Sequence, residues 1–167
     1  ICRKKNLWLI EDTCESLGVR NKNKYLGTFG DIGTYSFYFS HHMTTIEGGM
    51  IVTNDDYIAN KIKSLRSHGW TRDMDDAQMY ERQFPEIDPR FLFVNVGYNL
   101  RSTDINAAIG LVQLKKLKKY NESRHQIGLI WNKAFLHLKN KGLFFPMEVT
   151  KNTKASWFGF PVICKDQ

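Results

Sequence analysis

Apolar residues along the chain fall into short runs and helical stripes, separated by polar stretches punctuated with glycine. Asn6-Leu7-Trp8-Leu9-Ile10 is a compact apolar run that stops at Glu11-Asp12. That pattern predicts a buried strand over 7–10 whose C-terminal edge carries carboxylates, the place where open parallel sheets hold ligands. Stretches rich in β-formers predict further strands over 33–38 and 49–53. Asn54 or Asp55 then caps a helix over 55–68, with Ile58, Ile62 and Leu65 in helical spacing and Gly69 at its end. Residues 70–88 are polar, mixed in charge and aperiodic, and predict a long loop or flap. Ser102 or Thr103 caps a helix over 103–117, and a second helix is expected over 120–139. Ala155 to Cys164 predicts a last strand. Short strands alternating with helical stripes predict an α/β fold, with a mixed, mostly parallel sheet flanked by helices.

Composition narrows this reading. With 42% hydrophobic and 25% charged residues in 167, the chain is globular and long enough for a real core. No apolar run approaches the ~20 residues of a membrane helix, so no membrane association is expected. Cys2, Cys14 and Cys164 are widely spaced, fit neither a zinc site nor a disulfide framework, and favour a reducing cytoplasmic compartment. The net charge of +7 is concentrated in 3–24 and in Lys115 to Lys119. It suits polyanions, but no nucleic-acid-binding signature accompanies it, and a phosphorylated small substrate is served equally well. The first residue is Ile1, and both ends have the look of an internal fragment of a longer enzyme.

Three segments carry the chemistry. The first is Leu9-Ile10-Glu11-Asp12-Thr13-Cys14-Glu15-Ser16-Leu17-Gly18. The second joins Phe29-Gly30-Asp31-Ile32-Gly33-Thr34-Tyr35-Ser36-Phe37-Tyr38 to Glu47-Gly48-Gly49-Met50-Ile51-Val52-Thr53. The third runs from Gly97-Tyr98-Asn99-Leu100-Arg101 through the Ser102 cap to Gly110. In this order they resemble the strand-end, cofactor-lysine and dimer-contact segments of the DegT-type sugar aminotransferases, pyridoxal-phosphate enzymes of fold type I.

The resemblance implies a large cofactor-binding domain over 1–125, with 126–167 forming a linker helix and the start of a small C-terminal domain. It implies Asp12 as partner of the pyridine nitrogen, Glu15 facing the ring or sugar, and Ser36 on the phosphate. Spacing alone leaves Asp12 equally open to a helix N-cap and Ser36 to plain strand packing. Asn99 and Arg101 lie where the family reaches across a homodimer to phosphate or substrate; Arg101 can also be a surface cation near a helix start.

One position departs from the common family pattern. Five residues after Ser36, where most members carry the lysine that bonds the cofactor, stands His41, followed by His42, and no Lys lies between Lys24 and Lys61. An imidazole forms no Schiff base but serves as a general base near neutral pH. The same substitution, together with Ser40-His41-His42-Met43-Thr44-Thr45 and Asp88-Pro89-Arg90-Phe91, is similar to the 3-dehydratases of nucleotide-linked 4-keto-6-deoxy sugars. The likeness implies deoxysugar biosynthesis of the lipopolysaccharide or O-antigen kind. The cofactor would be non-covalent pyridoxal or pyridoxamine phosphate, His41 the base, and glutamate the amino donor. Three cysteines are too few for the cluster of the iron–sulfur branch, so no metal is expected. Alternatives are an ordinary sugar aminotransferase of this family, or a non-catalytic relative that binds cofactor as a sensor.

Overall fold

The computed structural model describes residues 1–146 and 148–165. A one-turn helix α1 (Cys2–Lys5) precedes β1 (Ile10–Asp12), the short pair β2 (Arg20–Asn21) and β3 (Lys24–Tyr25), then β4 (Ile32–Ser36) and β5 (Gly49–Val52). Helices α2 (Asp56–Leu65) and α3 (Ala77–Gln83), a 3-10 turn at Pro89–Phe91, and helices α4 (Asp104–Ala134) and α5 (Leu136–Asn140) follow. The chain closes with β6 (Phe144–Pro146), β7 (Thr153–Lys154) and β8 (Val162–Cys164). One sheet has the order β1-β4-β5, with β1 parallel to β4 in the register Ile10↔Ile32 to Asp12↔Thr34. The order β3-β2-β7 forms a second, antiparallel sheet, and β6-β8 an antiparallel pair. The fold is α/β with mixed strand directions, as the sequence pattern predicts.

Contacts divide the chain into two compact units, residues 1–51 with 104–167, and residues 52–103. In the first, Val19, Phe37 and Met43 are buried, and α4 is fastened by the Asn121 amide, which donates to the Leu17 carbonyl at 2.9 Å. The Asn106 amide donates to the carbonyl of Thr45 nearby. In the second, Met74 and Leu92 are buried and Trp70 stacks on Phe93 with centroids 5.8 Å apart. Asp55 caps α2 as expected, its Oδ1 accepting the Ile58 N–H at 2.9 Å.

Several expected elements shift, each for a physical reason. The strand expected over 7–10 begins only at Ile10, and its run is exposed, Trp8 at 70%. The Leu9 N–H goes instead to the Asp31 carboxylate at 2.7 Å. The two helices expected over 103–117 and 120–139 are one helix to Ala134, since residues 117–120 hold neither Gly nor Pro to interrupt it. The flap expected over 70–88 contains α3. The last strand shrinks to β8 because side chains take the carbonyls of residues 155–158 that a ladder would have used.

Candidate active site

The ends of β1 and β4 lie side by side, and their register sets Asp12 opposite Thr34, two residues before Ser36. Alternation along β1 sends neighbouring carboxylates to opposite faces. Glu11 turns to the loop before β4 and accepts three backbone N–H groups, from Gly27 at 2.8 Å and from Phe29 and Gly30 at 2.6 Å. It anchors the loop. Asp12 faces the other way, where its Oδ1 accepts the Cys14 N–H at 3.1 Å. Hydrogen bonding to Cys14 holds the Asp12 carboxyl below the usual range, with smaller help from the Thr34 hydroxyl and from the nearby His41. Asp12 is therefore ionised at neutral pH. It is exposed rather than buried, and no helix starts there for it to cap.

Ser36 ends β4, half-buried, and its Oγ accepts the Tyr38 N–H at 3.2 Å. The hydroxyl keeps its own proton to donate, the capacity a phosphate oxygen needs.

The chain then turns, with the His41 N–H donating to the Tyr38 carbonyl at 3.1 Å. The half-buried His41 ring lies between Phe158, at 5.1 Å and 33°, and Tyr38, at 6.3 Å and 65°. Its Nδ1 is buried and makes no hydrogen bond among the described residues. His42 differs. It is buried, and its Nε2 donates to the Ser156 carbonyl at 2.9 Å, so the proton of the neutral ring sits on Nε2. Burial pushes its pKa below the ordinary value, the Ser156 bond opposes this, and the charge of Arg124 reinforces it. His42 is thus a neutral ring that holds backbone through Nε2, while its own Nδ1, like that of His41, is unpartnered among the described residues.

Glu15 is exposed, and its charge is felt by both Cys14 and His42, which puts it among the same residues. Asn99 and Arg101 belong to the second unit, in the exposed stretch leading to α4. Backbone bonds hold that stretch, from Tyr98 N–H to Leu65 at 2.7 Å and from Leu100 N–H to Arg66 at 2.9 Å. The aperiodic Asp88-Pro89-Arg90 turn is closed on itself, the Arg90 guanidinium donating to the Asp88 carboxylate at 2.6 Å. All three cysteines are free thiols. Sequence reasoning missed Glu11 as an anchor and missed Ser156, Phe158 and Arg124 altogether. Those last three lie more than eighty residues from His41, and no local pattern announces them.

The model of the DegT/DnrJ/EryC1/StrS aminotransferase family matches residues 1–167. Among curated proteins, the chain is 37% identical over 166 residues to GDP-4-keto-6-deoxy-D-mannose 3-dehydratase of Yersinia pseudotuberculosis, covering 97% of this chain and 40% of that protein. Among solved structures it is similar to the Escherichia coli GDP-4-keto-6-deoxy-D-mannose-3-dehydratase with bound hydrated PLP. The TM-score there is 0.85 and the identity 36%, over 99% of this chain and 42% of that one. A GDP-4-keto-6-deoxymannose-3-dehydratase with a trapped PLP-glutamate geminal diamine matches at TM-score 0.81 and 37% identity, over 96% of this chain and 41% of that one. The chain thus spans about two fifths of the length of the curated relatives it matches.

Proposed function

Because the chain belongs to the DegT/DnrJ/EryC1/StrS aminotransferase family, we propose that it forms part of a 3-dehydratase of deoxysugar biosynthesis. Its substrate is a nucleotide-linked 4-keto-6-deoxyhexose, and GDP-4-keto-6-deoxy-D-mannose, named in the relatives, is the first candidate. The observation that carries this reading is His41. It stands at the position of the family lysine, near an ionised Asp12, with a buried Nδ1 that nothing in the described chain engages.

The residues present fit a pyridoxamine phosphate held without a covalent link. Asp12, kept ionised by Cys14, holds a proton on the pyridine nitrogen. The Ser36 hydroxyl donates to a phosphate oxygen while accepting from Tyr38. Glu15 stands at the ring or sugar side. When bound, the cofactor would supply the amine that joins the C4 ketone and the conjugated ring that relays the electron pair left by the C4′ proton to expel the C3 hydroxyl. His41 would accept the proton from the cofactor's C4′ carbon, and glutamate would be the source of the amino group. Glutamate accompanies the cofactor in one relative.

Residues 1–125 make up the cofactor domain in this reading and 126–167 lead into a small domain. Two copies complete each site, with Asn99 and Arg101 reaching the phosphate or substrate of the neighbouring subunit. Val96 at 94% and Leu100 at 71% exposure give that stretch an apolar surface suited to a partner. Three free thiols accord with the reducing cytoplasm, and no helix among the described residues is long and apolar enough to cross a membrane.

The test is product analysis by mass spectrometry on the intact protein, given glutamate and the nucleotide-linked 4-keto sugar. His41→Asn keeps cofactor affinity and loses C3 dehydration by ~10²–10⁴-fold, the usual loss on removing a general base. His41→Lys permits a covalent, borohydride-trapped cofactor and diverts the chemistry to a 4-amino sugar. Dehydration by His41→Asn at the parent's rate removes His41 as the base. A borohydride-trapped adduct in the parent itself would point to the aminotransferase reading instead.

A further inference from the structure

We propose that Phe158 is a positioning residue for His41, set in place by three side chains that hold four consecutive backbone carbonyls. His125 Nδ1 lies 2.9 Å from the Ala155 carbonyl oxygen, and His42 Nε2 lies 2.9 Å from that of Ser156. Arg124 Nη1 donates to the carbonyls of Trp157 at 3.0 Å and Phe158 at 3.1 Å. Arg124 and His125 come from α4, while His42 follows His41 itself. Residues 155–158 therefore form no ladder, and their conformation is dictated by these donors. The Trp157 indole closes the arrangement against Gly128 of α4, where a Cβ would meet its Nε1 at 2.1 Å.

The result is a phenyl ring placed over both imidazoles, 5.1 Å from His41 and 6.0 Å from His42. A catalytic imidazole is ordinarily oriented by a hydrogen bond from its second nitrogen to a carboxylate or carbonyl. Among the described residues, His41 Nδ1 has no such bond. Its orientation is left to the packing of Phe158 and Tyr38 against the ring. Misplacement of a reacting group by about 1 Å costs on the order of 10²-fold in rate, so a loss of this packing reads out in turnover.

The proposal rests on His41 being the base, and the experiment separates the two ideas. In the intact cofactor-free protein, the ring-proton NMR signals of His41, assigned by their absence in His41→Asn, carry the ring current of Phe158. Phe158→Leu and Arg124→Gln move them, and Phe158→Tyr leaves them near their parent positions. With pyridoxamine phosphate, glutamate and GDP-4-keto-6-deoxy-D-mannose, Phe158→Leu and Arg124→Gln lower kcat about 10- to 100-fold. KM and cofactor affinity stay within about twofold, and Phe158→Tyr retains most of the parent's kcat. Parent-like kcat in Phe158→Leu, with His41→Asn inactive, overturns the positioning role and leaves the base intact. Loss of kcat together with cofactor affinity in both Phe158→Leu and Arg124→Gln also overturns it, since that is what general loosening would do. Full activity of His41→Asn overturns the base assignment and this proposal with it.

Discussion

Two adjacent histidines take opposite parts because their surroundings differ. His42 is 2% exposed and its Nε2 holds the Ser156 carbonyl, whereas His41 is half-buried and holds no such carbonyl; Nδ1 of both rings is unpartnered among the described residues. Burial lowers the His42 pKa below its ordinary 6.5, with Arg124 and His41 acting the same way and Glu15 opposing. The unfolded chain therefore binds a proton at His42 that the folded chain resists, and stability falls as pH drops below the unfolded value. Above it, both states carry a neutral ring and the difference vanishes. His42→Gln keeps an N–H for the Ser156 carbonyl but cannot titrate. Urea unfolding at pH 7.5 and at pH 5.5 then shows a smaller acid loss for His42→Gln than for the parent; equal losses would take His42 out of the account. The same contrast separates Glu11 from Asp12: one carboxylate is consumed by three backbone donors, the other is left ionised and exposed.

At the scale of elements, the pairing of β1 with β4 is what brings Asp12, Ser36 and the turn to His41 to one edge. That pairing depends on close backbone approach at Gly33, where a Cβ would lie 1.9 Å from the Gly27 carbonyl oxygen. Gly27 itself has φ +88°, the left-handed region that glycine tolerates. Neither backbone can yield without moving the loop that Glu11 anchors. Gly33→Ala is expected to lower stability by about 1–3 kcal/mol, in the range of overpacking substitutions, with a fall in cofactor affinity as the strand ends shift. Denaturant midpoints and cofactor titration check both; an unchanged midpoint would mean that the loop relaxes freely. Helix α4 supplies the other half of the frame, with Arg124 and His125 directed at residues 155–158 and Asn121 at Leu17.

At the scale of the molecule, large apolar side chains stay exposed on both units, among them Trp8 at 70% on the first and Tyr57 at 76% on the second. The chain spans about two fifths of its curated relatives' length, and the homodimer proposed above would cover part of this surface. Sedimentation of the intact protein is expected to give a dimer, and Arg101→Ala to weaken cofactor or substrate binding without unfolding either copy. A monomer that binds cofactor with parent affinity would contradict shared sites.

The chemistry at single positions was legible in the residues alone. A carboxylate closing an apolar run, a serine ending a second and a histidine pair soon after it are local facts, and strand register brings the ends of the two runs side by side. The Asp55 cap and the α2 stripe were equally local, because capping and helical periodicity act within one turn. Folding in three dimensions decided the rest. The place of β1 at one side of its sheet is set by strand pairing, and the fusion of two expected helices into α4 by the lack of any breaker between them. The division of labour between His41 and His42, and the part given to Phe158, come from carbonyls more than a hundred residues further on. Hydrogen bonds and ring contacts at that separation leave no periodicity in the chain, since they are set by which surfaces meet.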